Sequence, residues 1–279
     1  MIASLLINEG SKLLKEHSEN PHQESCDFLS HILKISRDQL RLCSNKINLN
    51  ESQIKLFFSY LSRRSLHEPL AYILNQEFFW EQKFYVDKRV LIPRPESEFL
   101  IEHLFKNISK PQKVLDLCCG SGVLGITSSM YFKNKLTILS DISYKALEVS
   151  QINSKKFKTH TSLIQTNLLN AFKNNSFDLI LCNPPYVTKE HKKIMTKDVL
   201  NYEPHLALFS ENKGLTHIFK IIQSATIILK ESGKIYIEIG IHQLKDIQKF
   251  ILNKRFKLIN IINDFQNIPR ILLLEKTNE

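Results

Sequence analysis

Apolar positions in the first seventy residues recur three and four apart, the period of a helix face. Leu5, Leu6, Leu13 and Leu14 form one stripe, Pro21 breaks it, and Phe28, Leu29, Ile32 and Leu33 form the next. Asn50 offers an N-cap to a third stripe of Ile54, Phe57, Phe58 and Leu61, because its side chain can accept from the free amides of a first turn. No strand pattern interrupts these stripes, so the block reads as a small helical bundle. Residues 75–92 change character. Glu77-Phe78-Phe79-Trp80 and Phe84-Tyr85-Val86 are aromatic and β-prone, which predicts a hairpin linking two domains. Pro93-Arg94-Pro95 ends it, and Pro95 suits the first turn of a helix carrying Phe99, Leu100 and Leu104.

From residue 111 the pattern alternates. Strands are predicted at Val114–Leu117, Leu136–Leu139, Ser162–Ile164, Leu179–Cys182, Ile235–Ile239, Leu258–Ile262 and Ile271–Leu274, with helices near 122–131, 143–156, 215–230 and 242–253. Alternating βα units imply a mostly parallel sheet covered on both faces. The last two strands have no helix between them and should pair antiparallel at one edge.

Composition narrows this little. A chain of 279 residues accommodates one α/β domain and an appendage. No apolar stretch approaches the ~20 residues of a membrane span. The run from Ala3 to Ile7 is too short for a signal peptide and has no basic stretch before it, so a cytoplasmic protein without a membrane partner is expected. Five cysteines form no CxxC pair and show no zinc spacing, so they read as reduced thiols with no metal. The net charge is +10, yet residues 1–70 hold nine Lys/Arg against eight Asp/Glu, so the surplus lies in the later segment. That surplus fits either compositional drift or attraction to an anionic partner such as an RNA-bound complex.

Val114-Leu115-Asp116-Leu117-Cys118-Cys119-Gly120-Ser121-Gly122 is a buried-strand pattern running into a glycine turn and then a helix. The glycines let the backbone turn tightly and approach a ligand, and the helix start presents free N–H groups to it. The second strand ends at Asp141, about twenty residues past the glycines, where a carboxylate can accept both ribose hydroxyls. Expected cofactor contacts are therefore Asp116, Cys118, Cys119, Gly120, Ser121, Gly122 and Asp141. Gly120-Ser121-Gly122-Val123-Leu124-Gly125 also satisfies the G-x-G-x-x-G of nicotinamide dehydrogenases. Asp116 argues against that reading. A carboxylate ahead of the loop repels a pyrophosphate but suits the ammonium and sulfonium of S-adenosylmethionine. The helix that follows should also lower the pKa of the Cys118 and Cys119 thiols.

The fourth strand of the alternating region runs into Asn183-Pro184-Pro185-Tyr186. Ligands of open α/β sheets bind beyond the carboxyl ends of the strands, so Asn183 stands beside the cofactor loop if the first and fourth strands are neighbours. An amide or aromatic amine is a poor nucleophile because its lone pair is delocalised. Asn183 can accept one N–H through its side-chain oxygen and Pro184 the other through its carbonyl, which aims the nitrogen and stabilises the charge that develops. Two prolines fix the backbone, with Pro185 restricting the residue before it, and Tyr186 can lie flat on the planar group.

Together these residues resemble the peptide chain release factor glutamine methyltransferase family, within the class I S-adenosylmethionine-dependent methyltransferases. Pro93-Arg94-Pro95-Glu96-Ser97-Glu98 resembles its P-R-P-[ED]-[TS]-E signature, Glu68-Pro69-Leu70-Ala71-Tyr72-Ile73 its E-P-[LV]-A-[YH]-[IL] stretch, and Tyr202-Glu203-Pro204 its F/Y-E-P segment. Ribosomal-protein glutamine methyltransferases instead carry a P-R-S-P-type segment. The resemblance implies an α/β fold: a Rossmann-like methyltransferase domain with a mostly parallel seven-stranded sheet, a small helical N-terminal domain and a β-hairpin linker. The expected bounds are 1–73, 74–94 and 95–279. It also implies methyl transfer from S-adenosylmethionine to the glutamine amide of the Gly-Gly-Gln motif in class I peptide chain release factors, by a monomer with no nucleic-acid substrate. Asn183, Pro184, Pro185, Tyr186 and Arg94 become substrate contacts, and Asn183 a cofactor contact as well.

The chain departs from the family in two places. Cys118 replaces the first glycine of D-L-G-T-G-[TS]-G, which a Cβ tolerates only at negative φ. Asn167 and Leu168 stand where the family often has Asp and a large residue near the adenine, and Asn167 can meet the adenine amine through its side-chain oxygen. Two alternatives remain: a nucleic-acid base-amine methyltransferase, since the same tetrapeptide serves adenine or guanine amines, and a non-catalytic ribosome-associated binding module.

Overall fold

The computed structural model describes residues 1–133 and 135–277, so Asn134 and the last two residues of the expected third domain lie outside the described residues. The chain divides into two compact units, Met1–Asn75 with Thr196–Tyr202, and Gln76–Met195 with Glu203–Glu279.

The smaller unit contains helices α1 (Ala3–Leu13), α2 (Pro21–Leu33), α3 (Arg37–Cys43), α4 (Glu51–Ser65) and α5 (Leu70–Leu74). Asn50 caps α4 as expected and forms a reciprocal box with Gln53; Ser36 and Gln39 do the same for α3. Pro21 begins α2, where its missing N–H costs nothing. One stripe differs from expectation. Leu6 and Leu14 are buried with Ala3 and Ile7, whereas Leu5 and Leu13 are exposed. Ala3, Leu6, Ile7, Gly10 and Leu14 follow the three-and-four spacing of one face, and adjacent leucines cannot share it. Their core partners include Phe28, Leu29, Leu40, Phe57 and Leu61.

The larger unit opens with the expected hairpin, β1 (Glu77–Phe79) and β2 (Gln82–Phe84). Trp80 and Glu81 make its turn with φ of 48° and 62°, the left-handed pair that matches strand twist. A 3₁₀ turn at Pro95–Ser97 then leads into α6 (Glu98–Asn107). The alternating region supplies β3 (Lys113–Leu117), α7 (Val123–Phe132), β4 (Leu136–Asp141), α8 (Tyr144–Lys156), β5 (Thr161–Gln165) and β6 (Phe177–Cys182). After α9 (Lys197–Tyr202), which groups with the smaller unit, come α10 (His205–Leu208), α11 (Thr216–Ile228), β7 (Leu229–Glu238), α12 (Leu244–Ile251), β8 (Phe256–Asn263) and β9 (Pro269–Lys276). The seven-stranded sheet has the order β5-β4-β3-β6-β7-β9-β8. Strands β5 to β7 run parallel, and β9 pairs antiparallel with both β7 and β8.

Strand parity decides what each face carries. Leu115, Leu117, Ile180, Cys182, Ile235 and Ile237 pack in one core with residues of α11 and α12. Val114, Leu179, Leu181, Leu139 and Tyr236 face the other core, shared with α6 and α7. By the same alternation Asp116, Asn183 and Glu238 belong to the second face. Among the described residues no helix is long and apolar enough to cross a membrane.

Candidate active site

Strands β3 and β6 are neighbours, with Leu117 opposite Cys182, so the loop after β3 and the tetrapeptide after β6 emerge side by side. Between them opens a cavity of about 110 Å³. Asp116, Cys118, Cys119, Gly120, Ser121, Asp141, Asn183 and Pro185 line it, together with Ser97, Val123, Ile142, Ser143 and Leu206.

The loop is shaped by its own backbone bonds. The Cys119 N–H donates to the Ser140 carbonyl (3.0 Å), the Gly122 N–H to the Cys119 carbonyl (2.7 Å), and the Gly120 N–H to an Asp141 carboxylate oxygen (3.0 Å). These bonds hold Gly120 and Gly122 at φ of 54° and 80° and force Cys118 to 58°. The expectation of a negative φ at Cys118 is thereby overturned: a side chain occupies a left-handed position that favours glycine, at a cost of roughly 1–2 kcal/mol. Gly125 is needed for another reason. A Cβ there would stand 2.7 Å from the Asp116 Cβ and 2.4 Å from a Leu139 methyl, so its absence lets α7 close on the sheet.

That closeness gives Asp116 a backbone partner, the Gly125 N–H at 2.8 Å, its one donor among the described residues. The carboxyl is otherwise enclosed, and burial lifts its pKa to about 7, with the nearby Asp141 adding to the rise. A buried carboxylate with one donor and a cavity before it is a site for a cation. Asp141 is also raised by burial, while the Ser143 and Gly120 amides each donate to one of its oxygens. A carboxylate has acceptor capacity beyond these bonds, which suits a ligand with two adjacent hydroxyls. Both acids therefore fit the positively charged, ribose-bearing cofactor read from the sequence.

The Cys119 thiol differs from expectation. The Cys119 pKa is raised well above the usual value, chiefly by burial and further by Asp116 and Asp141, which outweigh any help from the helix start. Its sulfur meets the Ser150 hydroxyl at 3.4 Å. Cys118 instead hydrogen-bonds with Cys182, which is fully buried and likewise raised.

Several expected contacts stand outside the cavity lining. Gly122 is the N-cap of α7. Asn167 and Leu168 follow β5, where Leu168 has φ of 51° and packs against the sheet core. Pro184 lies between two lining residues, and the Tyr186 hydroxyl donates to a Glu238 oxygen at 2.9 Å. Arg94 forms an ion pair of 2.7 Å with Glu203, whose other oxygen accepts from the Ile92 N–H (3.3 Å). Ser97 donates to Glu238 at 2.5 Å and accepts from the Asn183 amide at 3.2 Å. Sequence reading carried Ser97 and Glu203 only inside quoted motifs and missed Glu238, whose one signal was an acid ending an isoleucine-rich strand.

Family models match both parts of the chain: the PrmC N-terminal domain over residues 6–74 and the methyltransferase small domain over residues 95–207. Among solved structures, the ribosomal protein L11 methylase from Lactobacillus delbrueckii subsp. bulgaricus superposes with a TM-score of 0.53. It is 18% identical over 73% of this chain and 90% of its own, a likeness of fold. The bifunctional methyltransferase of Rickettsia prowazekii is 31% identical over 99% of this chain. This chain spans 58% of that protein, little more than half its length. The release factor glutamine methyltransferase of Buchnera aphidicola subsp. Schizaphis graminum is 33% identical over 93% of this chain and 94% of its own length. With end-to-end similarity of that extent, the chain belongs to the release factor glutamine methyltransferase family.

Proposed function

We propose that this chain transfers a methyl group from S-adenosylmethionine to the side-chain amide nitrogen of the glutamine in the Gly-Gly-Gln motif of class I peptide chain release factors. The observation that carries the reading is one cavity lined by Asp116, Asp141 and Asn183, a cation site, a diol site and an amide acceptor together. Asp116 holds the ammonium and favours the sulfonium, and Asp141 takes the ribose hydroxyls. When bound, the cofactor supplies an electrophilic methyl group on a sulfonium.

Asn183 Oδ1 and the Pro184 carbonyl accept the two N–H bonds of the incoming amide. Both acceptors grow stronger as nitrogen becomes positive, so they act more on the transition state than on the bound amide. The bound cofactor would give up its methyl as its sulfonium becomes a neutral thioether, and the methylated nitrogen, held by Asn183 and Pro184, would then lose one N–H proton to solvent. In this reading residues 1–73 present the release factor, 74–94 link, and 95–279 carry out transfer.

The test is transfer of labelled methyl to purified release factor, with tRNA, rRNA and DNA in parallel. Label on the Gly-Gly-Gln peptide, absent when its glutamine is replaced by alanine, is the expected result. Label on a nucleic acid in place of the release factor would overturn the reading in favour of a base-amine methyltransferase.

A further inference from the structure

Glu238 ends β7 with its side chain fully enclosed, and each of its oxygens accepts from a hydroxyl: Ser97 at 2.5 Å and Tyr186 at 2.9 Å. A serine hydroxyl has one proton. At Ser97 that proton is committed to Glu238, so its oxygen can only accept on the side facing Asn183. Asn183 therefore turns its NH₂ toward Ser97, at 3.2 Å, and its carbonyl oxygen away. Flipping the amide would set two acceptors against each other. Tyr186 is fixed by the same logic, since its proton also goes to Glu238. Ser97 lies 141 positions from Glu238 and 86 from Asn183, so the chain brings together three distant segments at one point.

We infer that Glu238 is a positioning residue which, through the Ser97 hydroxyl, fixes the orientation of the Asn183 amide and leaves its oxygen as the acceptor for the substrate. This inference deepens the activity proposed above and rests on it for its kinetic consequence. Only an acceptor oriented in advance can favour the transition state without reorganising during the reaction. Tyr186 joins the same anchor, so one carboxylate orients two side chains of the tetrapeptide. Carboxylate and carboxamide differ at this position. In Glu238→Gln the carboxamide would have one acceptor for two hydroxyl donors and could donate to Ser97, releasing the Ser97 proton toward Asn183 and favouring the flipped amide.

The experiment compares wild type, Ser97→Ala, Ser97→Thr, Glu238→Gln and Asn183→Ala for turnover on release factor, for S-adenosylmethionine affinity by calorimetry, and for melting temperature. Ser97→Ala and Glu238→Gln should lower kcat on the order of 10–10², the scale of a misplaced catalytic group, with cofactor affinity nearly unchanged. Ser97→Thr keeps the hydroxyl and should restore turnover. In an Asn183→Ala background, Ser97→Ala should have no further effect, because Ser97 acts through Asn183. A second readout needs no substrate: the side-chain NH₂ resonance of Asn183, identified by its loss in Asn183→Ala, should shift in both Ser97→Ala and Glu238→Gln. A wild type silent on release factor would reject the activity while this resonance still decides the relay. Folded variants with an unmoved resonance or wild-type turnover would overturn the relay.

Discussion

Asp116 and Glu238 are both buried carboxyls on the same face of the sheet, at the ends of strands separated only by β6, yet their surroundings differ. Asp116 has a single backbone donor among the described residues and faces the cavity. Glu238 has a hydroxyl on each oxygen and lies outside the cavity lining. Burial raises both pKa values, and at Glu238 the Ser97 and Tyr186 hydroxyls, with the charge of Arg270, oppose the rise. A buried acid that lines a cavity is suited to bind, whereas one enclosed behind the lining with a hydroxyl on each oxygen is suited to orient. Burial and residue type alone do not separate the two roles; access to the cavity does, since Asp141 lines it with an amide on each oxygen.

The largest effect should come where the two sides meet. Asn183→Ala is expected to lower turnover by on the order of 10²–10³, the scale for loss of one transition-state contact, with a much smaller change in cofactor affinity. Activity within a few-fold of wild type would break the comparison by showing that the oriented amide has no task.

On the binding side, Asp141→Ala removes a charged acceptor of roughly 1.5–3 kcal/mol, which corresponds to about 10–100-fold weaker S-adenosylmethionine binding by calorimetry. Because Asp141 also holds the Gly120 amide, a variant with intact melting temperature but unchanged affinity would remove it from the ligand site.

The third outcome concerns pH. The Asp116 pKa stands at about 7 in the fold against an ordinary 3.8. The ligand-free protein thus holds this proton more tightly than the unfolded chain does. Its stability contribution falls as pH rises between those values and is constant above them. Cofactor affinity runs the opposite way, since a cation needs the ionised acid: it should drop roughly tenfold per pH unit below about 7 and level off above. Asp116→Asn should flatten both profiles. A pH-independent affinity in wild type would show that Asp116 does not face the cationic group.

Cys118 gives the smallest effect. Replacement by glycine relieves roughly 1–2 kcal/mol of left-handed strain but adds about 0.5–1 kcal/mol of unfolded-chain entropy. Cys118→Gly should therefore melt within a few degrees of wild type, while Cys118→Val, branched at a positive φ, should melt clearly lower. Equal melting of the two would mean the loop relaxes to another conformation.

The features legible in the sequence were those written locally. The acid, the glycines and the second acid lie within one βα unit and its next strand, and the period changes that mark helix, hairpin and sheet are visible in short windows. Adjacent leucines at 5 and 6, and at 13 and 14, left the buried face of α1 undecided until packing partners selected Leu6 and Leu14. The φ of Cys118 depends on three bonds from loop amides, two to backbone carbonyls and one to the Asp141 carboxylate, whose joint effect no residue type announces. Glu238 was illegible for a similar reason: both its partners come from distant segments, and an acid at a strand end looks like a solvated terminus.

The pairing of Arg94 with Glu203 joins Pro93-Arg94-Pro95 to Glu203-Pro204 across 109 positions, with the Glu203 side chain only 1% exposed. Loss of Arg94 takes its cation from an almost fully enclosed carboxylate, a change that typically costs up to about 3–5 kcal/mol, whereas joint replacement by apolar residues of matching volume is far better tolerated. Substitutions of Arg94 should therefore persist in descendants of this gene chiefly when Glu203 changes with it. The two short motifs, read as separate signatures along the chain, are inherited as one.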